Sequence, residues 1–166
     1  MRTRLLCVCL AFLCLLGGCG REGEKTAKEA VEAILLLCGE TPAGALYRSG
    51  AERGQEDYLS ASDFDLLYGE GSAEEYGPLV REYSLYLSSF AEPFEVAVFR
   101  CYEKSDADRV GGMLLRRSDR LKVFLREIGR YETEGECICV TVVEEYAILV
   151  MCRHVPDKGK ISRAVK

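Results

Sequence analysis

Histidine is nearly missing from this sequence: His154 is the only one in 166 residues. That excludes a metal centre built on two histidines, and any Cys–His nucleophile must use this one residue. Proline is scarce as well, at 4 residues, and there is no low-complexity tract. With 48% hydrophobic and 30% charged residues, this excludes disordered, collagen-like and coiled-coil chains. Positive charge is in deficit: Lys and Arg number 22 against 27 Asp and Glu, for a net charge of −5. A mildly acidic chain argues against nucleic acid as a partner. There is no Gly-rich phosphate loop, no G-x-S-x-G and no D-x-D-x-D-G calcium pattern. No residue is assigned as catalytic, no cofactor or metal is expected, and binding is favoured over catalysis.

What the chain does have begins at its start. Arg2 and Arg4 precede Leu5 to Leu16, a stretch without charge. A basic n-region followed by an apolar h-region is the pattern of a secretory signal. Such a run spans ~18 Å as a helix, well short of a ~30 Å hydrocarbon core. It ends in Leu16-Gly17-Gly18-Cys19, which resembles a bacterial lipobox. The resemblance implies diacylglycerol transfer to Cys19, cleavage before it, and anchoring on the extracytoplasmic face of a bacterial cell membrane. The expected organisation is a signal peptide at 1–18 and the lipidated Cys with a short tether at 19–23. A single domain at 24–155 and a polar basic tail at 156–166 complete it. A tether this short reaches at most ~18 Å, which holds the domain close to the membrane.

The domain reads as helices and two hairpins. Ala27, Ala30, Val31, Ile34 and Cys38 form one helical stripe over Glu24–Cys38, stopped by Gly39. Thr41 to Gln55, with Pro42 and several Gly and Ser residues, reads as loop. Ser60 or Ser62 caps a short helix ending at Gly69. Arg81–Phe90 and Phe94–Tyr102 read as strands. A long helix follows from about Ser105 to Ile128, with Val110, Met113, Leu114, Leu121, Phe124, Leu125 and Ile128 on its stripe. Arg117 falls inside that stripe and suggests a kink near Ser118-Asp119. The adjacent Gly111 and Gly112 imply either a fraying first turn or a close approach to a sheet. Glu136–Val143 and Tyr146–Arg153 form the second hairpin, turning at Glu144-Glu145. The expected fold is α+β: an antiparallel four-stranded sheet in ββαββ order, with one long helix and an N-terminal helix packed on it.

Several of these features together resemble a family of bacterial lipoproteins known only as domain of unknown function 4358. They are the lipobox, Leu59 through Phe64 to Leu67-Tyr68-Gly69, Phe94-Glu95-Val96-Ala97-Val98-Phe99, and Tyr146-Ala147-Ile148-Leu149-Val150 after the long helix. The resemblance spans roughly residues 55–153. It implies location and fold, and it supplies no activity or site residues.

Cysteine is the abundant reactive residue, with 9 in the chain. Cys7, Cys9 and Cys14 leave with the signal, and Cys19 takes the lipid. Cys38, Cys101, Cys137, Cys139 and Cys152 remain, an odd set for an all-disulfide framework. If Val143 pairs with Tyr146, Cys137 falls opposite Cys152 and Cys139 lies two residues along on the same face. Buried packing thiols are the first reading of these residues. A Cys137–Cys152 disulfide is the second, and a thiol or metal cluster of Cys101, Cys137, Cys139 and Cys152 is the third.

The long helix carries Arg109, Arg116, Arg120, Lys122, Arg126 and, just beyond it, Arg130 opposite its apolar stripe. These point to an anionic surface as partner, or to a solvated face. Asp57, Asp63, Asp65, Glu70, Glu74 and Glu75 read as caps and turns rather than paired catalytic acids. The functional expectation is a membrane-anchored, extracytoplasmic lipoprotein with a non-catalytic binding or envelope-accessory role. Its partners are the membrane through the lipid, and an envelope protein or anionic polymer. The alternative is a thiol- or metal-dependent envelope enzyme or redox protein using Cys137, Cys139 and Cys152.

Overall fold

The computed structural model describes residues 25–39, 41–88, 93–129 and 137–166. The expected signal peptide, Cys19 with its tether, and Arg130 lie outside the described residues. The elements run α1 (Ala27–Cys38), β1 (Gly44–Arg48), α2 (Ala61–Tyr68), α3 (Ser72–Tyr76) and a 3₁₀ turn (Gly77–Leu79). Then follow β2 (Val80–Ser88), β3 (Glu95–Cys101), α4 (Lys104–Glu127), β4 (Ile138–Val143), β5 (Tyr146–Met151) and α5 (Lys158–Ala164).

The class is α+β, and the sheet has five antiparallel strands in the order β1-β2-β3-β5-β4 rather than four. The additional strand, β1, lies inside the segment read from sequence as loop. Its five residues, Gly-Ala-Leu-Tyr-Arg, pair with β2 from Gly44↔Ser88 to Arg48↔Ser84. Gly44 is required there, because a Cβ would stand 2.4 Å from the Leu87 carbonyl oxygen. The glycine that suggests a loop is what allows the strand to approach its neighbour.

Both faces of the sheet are covered. One carries α4 with α2 and α3, burying Phe64, Tyr68, Leu85, Phe99, Met113, Leu114 and Leu149. The other carries α1 and α5, burying Ala30, Val31, Ile34, Val96, Val98, Ile148 and Ile161. The central strands β3 and β5 are therefore buried throughout. Near-continuous apolar runs in these two strands are the sequence counterpart of two-sided burial.

Local chemistry fixes the helix starts. Thr26 accepts the Glu29 N–H at 3.2 Å, and Glu29 accepts the Thr26 N–H at 2.8 Å, a complete capping box. The Thr26 N–H, and the Thr26 hydroxyl that donates to the same carboxylate at 2.9 Å, hold the Glu29 carboxyl below its usual range. Ser60 caps α2 by accepting the Asp63 N–H at 3.1 Å. α4 begins at Lys104, one residue before the expected Ser105 start, with Glu103 as its N-cap.

α4 continues from Lys104 to Glu127 through the position expected to kink. Arg117 does not break the stripe, because it faces a carboxylate inside the core. Glu95, the first residue of β3, is 1% exposed, and the Arg117 Nη2 donates to its Oε2 at 2.8 Å. The Arg117 Nε donates to the same oxygen at 3.2 Å. Burial lowers the tendency of Arg117 to hold its proton, and the Glu95 charge more than restores it.

The paired glycines of α4 divide in role. A Cβ on Gly111 would meet the Val142 Cγ2 at 2.7 Å, whereas nothing lies within 4 Å of one on Gly112. Close helix-to-sheet approach is the reason for Gly111. Gly112→Ala is expected to stabilise the fold by up to ~1 kcal/mol through helix propensity. Gly111→Ala is expected to destabilise it, by ~1–3 kcal/mol of overpacking against stiff, β-branched Val142 less the same propensity gain. Urea unfolding of the two variants checks the opposite signs.

The C-terminal segment is the second correction. Residues expected as a loose polar tail form α5, capped by Asp157, whose side chain accepts the Gly159 N–H at 2.8 Å. Ile161, Ala164 and Val165 are buried against α1. The polar and basic residues of this segment occupy one face of the helix, and its few apolar residues share the other.

Candidate functional site

The β4–β5 register is the one expected. Val143 pairs with Tyr146 and Ile138 with Met151, and the Cys152 N–H donates to the Cys137 carbonyl at 3.1 Å. The turn places Glu144 at φ 54°, a left-handed conformation that costs a side chain energy. Lys166 meets the Glu144 carboxylate at 3.0 Å.

The cysteines do not gather as the register alone suggests. Cys137 precedes β4, and its side chain joins the cluster under α4. Cys152 and Cys139 join the cluster on the opposite face. The strand alternation that carries Cys137 to the same side as Cys152 starts only at Ile138, so the two side chains part across the sheet. All five cysteines among the described residues are free thiols. Cys101 shares the core cluster under α4 with Cys137 but stands at the opposite end of the sheet. It ends β3 beside Glu145, whose carbonyl accepts its N–H at 2.8 Å, while Cys152 lies beyond the far end of β5. Burial pushes the Cys101 thiol up to about 12, and Asp106 and Glu145 add to the effect. Among the described residues, no three His, Cys, Asp or Glu side chains converge on a metal position.

The thiol that does meet Cys152 is Cys38, the last residue of α1. The Cys38 thiol hydrogen-bonds to the Cys152 sulfur, and this contact with burial raises the Cys38 pKa. The same bond favours the Cys152 thiolate, overcoming burial, and the His154 backbone N–H supports it. The sequence gives no sign of this pairing, since the two residues are joined only by the docking of α1 on the sheet.

The basic row of α4 is largely committed to internal contacts. The Arg116 guanidinium donates to the Tyr76 hydroxyl at 2.5 Å and lies over its ring at 5.8 Å. Arg120 donates to the Leu67 carbonyl at 2.7 Å, and Lys122 pairs with Asp119 at 2.9 Å. Arg116 and Arg120 thus fasten α2 and α3 to α4. Arg109 and Arg126 are exposed. Part of the acidic run is likewise held in internal contacts: Asp57 pairs with Arg48, and Asp65 accepts the Ala73 N–H at 2.7 Å.

An open groove of about 720 Å³ lies along the outer strand β4, between the distal half of α4 and residues 153–158. Its described lining includes Lys122, Arg153, His154 and Lys158, with Asp157 as the single carboxylate. Lys122, Arg153 and Lys158 outnumber that one carboxylate, which leaves the groove cationic. Leu115, Ile138 and Val140 supply an apolar floor. Sequence reasoning singled out Lys122 for an anionic partner and missed Arg153 and Lys158, which reach it only through the turn from β5 into α5.

The opposite end of the domain receives the start of α1. The Tyr146 hydroxyl donates to the Lys25 carbonyl at 2.6 Å, and the Ala27 N–H donates to Glu82 at 3.2 Å. Glu82 and Glu145 each stand 3.5 Å from the Arg100 guanidinium. From Tyr146 to Cys152 the strand covers ~20 Å, which separates the entry of α1 from the groove by most of the sheet's length. A second cavity, about 250 Å³ and mainly apolar, lies between Leu59, Phe64, Tyr83 and Phe99. No family model, no curated protein and no solved structure matches the chain.

Proposed function

We propose that this chain is a lipid-anchored lipoprotein of the bacterial envelope that binds an anionic polymer and performs no chemistry on it. Acylated Cys19 holds it on the extracytoplasmic face of the cell membrane. The observation that carries the binding role is the cationic groove of Lys122, Arg153 and Lys158 over an apolar floor. Its position supports the anchored reading. Lys25 lies two residues beyond the expected tether at 19–23, and it docks at the sheet end away from the groove. A domain tethered there presents the groove outward, where envelope polymers run. The lipobox and the resemblance to the lipoprotein family of unknown function support the same location.

The test uses the full chain. In cells, Cys19→Ala is expected to abolish incorporation of labelled fatty acid and to release the protein from the membrane fraction. In detergent, the purified protein is titrated with inorganic polyphosphate, and with polylysine as the opposite-charge control. Arg153→Glu with Lys158→Glu is expected to weaken polyphosphate binding at least ~10-fold, with binding falling as salt screens the charges. Equal binding by wild type and the double variant overturns the groove assignment. Retention of the polymer together with its chemical turnover overturns the non-catalytic role.

A further inference from the structure

Two thiols from elements far apart in sequence meet where α1 ends. Cys38 is the last residue of α1, and Cys152 follows the last residue of β5. α1 enters beside Tyr146, whose hydroxyl donates to the Lys25 carbonyl at 2.6 Å, and its ~18 Å of helix carries Cys38 to the Cys152 end of β5, where both belong to one core cluster. Cys152 is buried within the cluster formed by α1, β3, β5 and α5, and half-buried Cys38 packs against it. Neither other nearby cysteine occupies this position. Cys137 lies under α4, and Cys139 pairs with Val150 in the sheet, with Asp157 and Lys158 as its charged neighbours.

We infer that Cys38 and Cys152 are a disulfide-forming pair that, once oxidised, ties α1 covalently to the central sheet. The inference rests on the exported reading, because disulfides persist in oxidising compartments. Since α1 is the first described element after the tether, the bond would join the lipid anchor to the core rather than to a helix held by packing alone. The oxidant is a protein or small-molecule disulfide. The Cys152 thiolate attacks one sulfur of that disulfide and expels the other as a thiolate, which takes up a proton. The Cys38 thiol gives up its proton and attacks the Cys152 sulfur, displacing the oxidant's second thiolate, which is protonated in turn. Two cysteine thiols have then lost two electrons and two protons, and the oxidant disulfide has become two thiols. The bond, once formed, holds the two sulfurs ~2.05 Å apart.

The neighbouring Cys38 thiol favours the thiolate at Cys152, which suits it to be the attacking sulfur. Cys38 is at a helix terminus followed by Gly39 at φ 80°, and exposed Leu36 shows that the final turn reaches solvent. Opening of a terminal turn is the lowest-cost local motion of a helix, and here it admits the oxidant.

The experiment equilibrates the purified full chain with oxidised glutathione, so the oxidant is supplied whatever the protein's cellular location. The expected result is a mass lower by about 2 Da, reversed by reductant. Non-reducing peptide mapping should join the Cys38 peptide to the Cys152 peptide. The oxidised protein should melt about 10 °C above Cys38→Ser, because the bond closes a long loop. Cys38→Ser replaces a half-buried residue and keeps the test valid even if Cys152→Ser fails to fold. A map joining Cys137 to Cys152, or five free thiols after equilibration, overturns the pairing. Formation of the bond in vitro together with a cytoplasmic, non-acylated protein in cells overturns the exported reading and leaves the pair's chemistry standing.

Discussion

Arg117→Ala is expected to destabilise the fold by about 3–5 kcal/mol, the cost of leaving a buried charge without its partner. Glu95 is 1% exposed and receives two hydrogen bonds from Arg117, at 2.8 and 3.2 Å from one oxygen. The Arg117 side chain is 17% exposed, so solvent replaces little of what the substitution removes. Tyr68 is also fully buried near this pair, and burial and the Glu95 charge push its hydroxyl's pKa well above the ordinary value. A carboxylate left there stays buried between strands β2 and β5, with its charged partner gone. Urea unfolding should show a lower midpoint with an unchanged slope, since the same surface is exposed on unfolding. The double variant Glu95→Leu with Arg117→Met should recover most of the loss, because replacing both partners removes the buried charge altogether. A single-variant loss under ~1 kcal/mol shows that the pair does not hold α4 to β3.

Ile161→Ala is expected to cost about 2–5 kcal/mol, the range for truncating a fully buried aliphatic side chain. Ile161 is 0% exposed and packs with Ala27, Ala30, Val31 and Ile34 of α1. The effect reaches beyond α5, because the Lys25 ammonium donates to the Ala164 carbonyl at 2.8 Å. Loosening α5 therefore loosens the entry of α1. Truncation after Pro156 is expected to exceed the point substitution, since it also removes Ala164 and Val165 from the same cluster. Hydrogen exchange checks the coupling: amides of α1 should lose protection along with those of α5. If α1 keeps full protection while α5 is lost, the C-terminal helix is an independent attachment.

The part of the fold legible in the sequence is the part set by short-range pattern. The stripes of α1 and α4, the Ser60 cap and the Gly39 and Gly69 stops are local, and the structure has them. The Val143↔Tyr146 register followed from the two-residue turn, and a turn fixes register without reference to the rest of the chain. The elements that were missed depend on partners far away. β1 carries five residues and a glycine, and it becomes a strand because β2 offers a free edge. α5 has seven residues, too few to be stable alone, and it forms because α1 provides an apolar surface.

The candidate site divides along the same line. The sequence alone determined that five cysteines remain outside the expected signal and lipidation site, that one histidine excludes a two-histidine metal centre, and that α4 carries a basic row. Tertiary structure decided what each of these does. It set Arg116 and Arg120 against α2 and α3, and it gathered Lys122, Arg153 and Lys158 around one groove. It turned Arg117 from an apparent break in an apolar stripe into the partner of Glu95, and it brought Cys38 rather than Cys137 to Cys152. Periodicity states which face of its own element a side chain occupies. Which other face it meets depends on how helices and sheet pack, and those contacts join residues that no local pattern connects.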